Sequence, residues 1–89
     1  MVEFVDEAVT VEVERLAGDQ VRPLAFVWRG CRYQIVAWGR ESEVEQASRT
    51  VHCVLVQTAG PVTWELCQDA ESREWRLRRR WSRGKSRLV

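Results

Sequence analysis

Apolar and polar residues alternate along most of this chain. Val9, Val11 and Val13 interleave with Thr10, Glu12 and Glu14, the period-2 pattern of a strand buried on one face. Gly18-Asp19-Gln20 breaks that run, and Pro23 is suited only to the start or edge of the next strand. The segment Leu24 to Trp38 carries the sharpest pattern. A two-residue turn at Arg29-Gly30 pairs Trp28 with Cys31, Phe26 with Tyr33 and Leu24 with Ile35, all on one face. Slipping the register by one residue would set Arg32 and Gln34 beside the rings, so the hydrophobic pattern selects the first pairing.

The acidic stretch from Gly39 to Ser48 reads as a long loop or one short helix at about 40–48. Strand character resumes from Thr50 to Gln57, turns at Ala59-Gly60, and continues as Val62, Trp64 and Leu66 alternating with polar neighbours. After Asp69-Ala70-Glu71-Ser72 comes Trp75 to Arg80. Pairing Gln68 with Arg73 sets Leu66 opposite Trp75, Trp64 opposite Leu77, and Glu65 opposite Arg76. The prediction is an all-β antiparallel meander of about six strands, a curved sheet or small partly open barrel. Its core is expected to hold Phe26, Trp28, Tyr33, Ile35, Leu55, Trp64, Leu66, Trp75 and Leu77.

At 89 residues this is one thin-cored domain, expected to span 1–81, with a basic tail over 82–89. Apolar content of 45% and charged content of 30% belong to a folded chain, and five Trp supply large buried rings. No apolar run approaches a membrane span, and Met1 to Glu7 lacks the character of a signal peptide, which predicts a cytoplasmic protein with no membrane partner. Cys31, Cys53 and Cys67 are odd in number and contain no Cys-x-x-Cys pair, so free thiols are expected, with neither disulfide nor thiolate zinc site. A Cys53–Cys67 bridge would need the Ala59-Gly60 turn to shift by one residue. Arg outnumbers Lys by 13 to 1, a usage typical of GC-rich codons, and Asn is absent, which a thermophilic source would also fit.

Net charge is +1, but it is unevenly placed: residues 1–72 sum to −6 and residues 73–89 to +7. That asymmetry suggests a self contact or a basic arm for a polyanion. Arg76, Arg78 and Arg80 at period 2 would stand about 7 Å apart on one strand face, close to the spacing of phosphates along a nucleic-acid strand. Arg79, Arg83, Lys85 and Arg87 extend the charge, and Trp81 offers a ring for base stacking. Three readings stand side by side: DNA or RNA binding by these eight residues, a protein partner, or a solvated face whose tail neutralises Glu12, Glu14 or the Glu41–Glu45 segment. Trp81 could equally cap the core on the Trp75–Leu77–Arg79 face.

The residues contain no constellation for catalysis. His52 is the sole histidine, no Ser or Cys is spaced to join it, and neighbouring Cys53 points to the opposite strand face. The acidic residues lack metal-loop spacing and the glycines sit singly, so neither cofactor nor metal is expected.

Phe26-x-Trp28-Arg29-Gly30-x-x-Tyr33, the aliphatic strand around Val54, Trp64-Glu65-Leu66 and Trp75-x-Leu77 follow one another in an order that resembles a small uncharacterised bacterial β-rich domain family. The resemblance covers roughly residues 8–81. It implies a β-rich fold and, through the neighbourhood of error-prone DNA polymerases in which some members occur, an accessory role in DNA repair or replication. It supplies no catalytic residues. The function expected from the sequence is thus a non-catalytic binding module for nucleic acid, or alternatively a protein-interaction or self-assembly module whose edge strands pair between copies.

Overall fold

Six strands follow one another through hairpin connections: β1 (Val2–Arg15), β2 (Val21–Trp28), β3 (Cys31–Gln46), β4 (Arg49–Thr58), β5 (Val62–Asp69) and β6 (Trp75–Ser82). The computed structural model describes residues 2–18 and 20–82. Every strand is antiparallel to its successor, and β1 also pairs with β6, so the sheet closes on itself as a ring. The all-β antiparallel expectation holds, but the ring is closed rather than partly open. Closure uses Val2–Val9, which lies N-terminal to most of the expected first strand and runs alongside Trp75–Trp81. No helix forms among the described residues, and none is present to cross a membrane.

The expected loop or helix at 40–48 is instead the end of β3 and its turn. Glu41, Glu43 and Glu45 alternate with Ser42 and Val44, and Val44 pairs with Val51 on β4. The period-2 pattern was present but polar on both faces, because this part of the hairpin overhangs the ring. Ala47 and Ser48 close it with φ of 46° and 67°, the geometry of a mirror-image two-residue turn. Arg29 and Gly30 do the same for β2 and β3 with φ of 51° and 80°. There the expected register is found, with Phe26 opposite Tyr33 and Trp28 opposite Cys31. That pairing stops at Ala25–Gln34, one step short of Leu24–Ile35.

The next two hairpins differ from expectation. Pro61 joins Ala59 and Gly60 in a three-residue loop, since Gln57 pairs with Thr63 and Val56 with Trp64. That one extra residue sends Val54 and Val56 into the core and turns Leu55 outward, where it packs against Gly39. The β5–β6 loop also lengthens: Asp69 and Glu74 are joined by a backbone bond, and Asp69 Oδ1 accepts from the amides of Glu71 and Ser72. Those two amides, with Arg49 nearby, hold the Asp69 carboxyl below its usual range. Leu66 therefore faces Leu77, and Gln68 faces Trp75.

Inside the ring Phe26, Trp28, Ile35, Val54, Val56, Trp64, Leu66 and Leu77 form one cluster, with Tyr33 and Trp75 half-buried at its margin. Trp64 is central, with ring centroids 5.0 Å from Phe26, 5.7 Å from Trp28 and 4.7 Å from Tyr33. Three indole N–H groups find acceptors: Trp64 donates to Thr58 Oγ1 (3.0 Å), Trp28 to Glu7 Oε1 (2.8 Å) and Trp38 to the Pro23 carbonyl (2.7 Å). Glu7 also takes the Arg29 guanidinium, whose hydrogen bonds, with that from Trp28, keep its carboxyl below the ordinary carboxylate range.

Candidate nucleic-acid interface

Two irregularities decide where the basic residues of β6 point. Thr63, Trp64 and Glu65 pair with Trp81, Arg80 and Arg79, but Leu66 pairs with Leu77. Arg78 is the extra residue of a β-bulge, and a bulge changes the parity of everything beyond it. Arg76, Arg78, Arg79 and Trp81 consequently share the outer face, while Arg80 turns to the inner one. Arg76, Arg78 and Arg80 do not share a face, which corrects the sequence reading. Trp81 likewise leaves the face of Trp75 and Leu77. It stands opposite Val2 and Thr63 with the Arg79 guanidinium 5.0 Å from its ring centroid.

Arg80 is a structural residue. Its guanidinium lies 4.8 Å from the Trp28 ring and 5.4 Å from the Trp64 ring, and its Nε donates to Glu3 at 2.8 Å. It closes one end of the core by cation–π contact. Arg76 donates to the Asp6 carboxylate (2.9 Å) and to the Asp6 carbonyl (2.6 Å). Asp6 sits at φ 51° in a matching irregularity of β1, between the pairs Phe4–Arg79 and Glu7–Leu77. Arg79 donates to Glu65 at 2.6 Å, and that carboxylate is 7% exposed. Arg78 has no ion-pair partner among the described residues. Arg83, Lys85 and Arg87 lie outside the described residues, as does the tail after Ser82. Of the carboxylates expected as its partners, Glu12 is engaged with Arg32, Glu14 with Arg22 and Glu41 with His52.

Phe4 was not singled out by the sequence pattern. It is 73% exposed and is the cross-strand neighbour of Arg79 on the outer face. The signal in the sequence is an aromatic among the alternating residues Val2-Glu3-Phe4-Val5. Phe4 stands at one side of a groove of about 430 Å³ on the outside of the ring. Arg76 and Arg78 line the same groove from β6, Val44 and Val51 from the overhanging hairpin, and Cys53 and Cys67 from β4 and β5.

Cys53 and Cys67 are directly opposed across β4 and β5 and are joined by a disulfide. This overturns the expectation of three free thiols. The one-residue lengthening at Pro61 is the register shift that brings the two onto one face. Cys31, at the β2–β3 turn, is free and exposed. The two sulfurs and the Glu65 carboxylate lie within 4.8 Å of one another.

His52 sits on the opposite face from Cys53, with Nε2 3.0 Å from Glu41 and Nδ1 3.9 Å from Glu43. No family model, curated protein or solved structure matches the chain.

Proposed function

We propose that the protein is a non-catalytic module that binds single-stranded nucleic acid along the outer face of β1 and β6. The observation that carries this reading is the exposed Phe4 ring, placed on one face with Trp81 and with the guanidinium groups of Arg76, Arg78 and Arg79. Two rings offer stacking platforms for bases, and interleaved guanidinium groups offer phosphate contacts. Arg78 carries a charge that no carboxylate of the described residues neutralises. The pairs made by Arg76 and Asp6 are exposed, so a phosphate competes for Arg76 at little cost. The resemblance of the chain to a family found near error-prone polymerases favours DNA over RNA, and an accessory role in the cytoplasm.

Self-assembly through edge strands is the weaker reading. Ring closure gives each strand two neighbours. The stretch of β3 that β2 does not reach carries Glu41, Glu43 and Glu45, and like charges oppose pairing of that edge with a second copy.

Fluorescence anisotropy of a labelled oligo-dT, read at about 50 and 200 mM salt, tests the proposal. A site contacting three phosphates of a single strand weakens about 20-fold across that range. Phe4→Ser and Arg78→Ser should each weaken binding about tenfold or more with an unchanged melting temperature, since a stacked base contributes about 1–3 kcal/mol. Equal, salt-insensitive binding by wild type and both variants would refute it.

A further inference from the structure

We propose that the reduced protein holds a zinc-class divalent cation at the floor of the outer groove, ligated by Cys53, Cys67 and Glu65. Three observations on the structure lead there. The two sulfurs and a Glu65 oxygen fall within 4.8 Å of each other. All three residues are buried. The two cysteines are opposed on neighbouring strands, so the sheet itself fixes the separation of their backbones.

The oxidised pair cannot serve, since both sulfurs are committed to the S–S bond. A dithiol reduces that bond by exchange and is itself oxidised to a disulfide, while a phosphine supplies two electrons, takes oxygen from water to become its oxide and leaves the two protons of water on the sulfurs; either route ends in two thiols. Such thiols are the stable form in a reducing compartment. Binding M²⁺ then releases both protons to solvent and forms two metal–thiolate bonds. Tetrahedral zinc with bonds of about 2.3 Å holds two sulfurs about 3.8 Å apart, so once the S–S bond is cleaved the two side chains must part, over backbones the sheet holds 4.0 Å apart at Cα. Thiolate and carboxylate together suit zinc, and cadmium or cobalt as its stand-ins, rather than magnesium or calcium.

Charge supports the same assignment. Two thiolates and one carboxylate around M²⁺ leave −1, and the Arg79 guanidinium already bonded to Glu65 Oε1 neutralises it. Arg79 would then act as the outer partner that orients a ligating carboxylate. Cys53 and Cys67 line the groove, and water would complete the tetrahedron from that side. Sequence spacing gave no hint of the site, because its ligands come from adjacent strands rather than from a Cys-x-x-Cys turn.

Cobalt is the probe, added to the full chain carrying Cys31→Ser to remove the exposed third thiol, after reduction with a phosphine. The expected result is one equivalent of Co²⁺ showing a thiolate-to-cobalt charge-transfer band with intense visible d–d bands, bleached by Zn²⁺. The same protein kept oxidised should show neither, which makes thiol dependence testable with Cys53 and Cys67 both in place. Glu65→Gln should weaken Co²⁺ affinity about tenfold or more while leaving the charge-transfer band; Cys67→Ser should abolish it. Failure of the reduced chain to give the band at stoichiometric cobalt overturns the proposal, whatever its state of folding. So does an affinity that Glu65→Gln leaves unchanged, which would reduce the site to a bare thiol pair.

Discussion

Removing the hydrogen bond between Trp64 and Thr58 tests whether the centre of the ring is assembled as described. Trp64 is 1% exposed, and its indole N–H reaches only one acceptor, the Thr58 hydroxyl at 3.0 Å. Trp64→Phe loses about 40 Å² of buried ring, worth about 1 kcal/mol at about 25 cal/mol per Å². The space left behind, about 40 Å³, adds about 1 kcal/mol. Orphaning the buried Thr58 hydroxyl adds about 1 kcal/mol more, for a total of about 3. Thr58→Val keeps the shape and orphans the indole N–H instead, at about 1 kcal/mol. The double variant leaves no unpaired polar group, so it should cost only the packing terms, about 2 kcal/mol against a sum of about 4. Equilibrium urea denaturation followed by fluorescence of the remaining tryptophans measures all four proteins. The expected coupling is about 2 kcal/mol, a large share of the about 4–13 kcal/mol available to a domain of this length. Costs that add to within about 0.5 kcal/mol would refute the contact and, with it, the register of β4 against β5.

Three further outcomes are expected. Reduction should lower the melting temperature, because the Cys53–Cys67 bridge closes a loop of separation 14 and such a loop contributes about 3 kcal/mol; matched melts with and without a phosphine reductant measure it. Ala47→Asn with Ser48→Gly should raise stability by about 1 kcal/mol, since both positions hold positive φ that Asn and Gly adopt with less strain; a lower urea midpoint would contradict the turn geometry. Glu7, Glu12 and Asp69 have carboxyls held below their unfolded values, so their stabilisation is complete above the ordinary carboxylate range and is lost as pH falls through the depressed values. Melting temperature should therefore fall on acidification below about pH 4, and Asp69→Asn should flatten that fall.

What the sequence made legible followed from strict alternation beside an unambiguous turn. Trp28, Phe26 and Tyr33 beside Arg29-Gly30 admit one register, and that register is found. The later hairpins carried equally good alternation but ambiguous loops. Moving Pro61 into the turn between β4 and β5 reverses which of Val54 and Leu55 faces inward, and periodicity alone cannot tell an aliphatic run's two faces apart. The β5–β6 register shifted by two residues, which preserves the faces and so left Leu66 and Leu77 correctly inside. The bulge at Arg78 was invisible, since a run of three arginines contains no alternation to break. For the candidate interface the sequence therefore supplied Arg76, Arg78, Arg79 and Trp81 but misplaced Arg80. It missed Phe4 because that residue joins the site only through ring closure between the two ends of the chain.

The pairing of β1 with β6 also sets an order of events during synthesis. Asp6 must wait for Arg76, 70 residues later, and Glu3 for Arg80, 77 residues later. At about 5–20 residues per second, 70 residues take about 4–14 s, during which Val2–Val9 is without its β6 partner. Such an interval exposes a strand with apolar residues to capture by other nascent chains. Glu3, Asp6 and Glu7 are spaced through that strand and keep it soluble while it waits. The carboxylates that later hold Arg80, Arg76 and Arg29 thus act first as gatekeepers, and neutralising all three should lower the yield of soluble protein more than the stability of protein already folded.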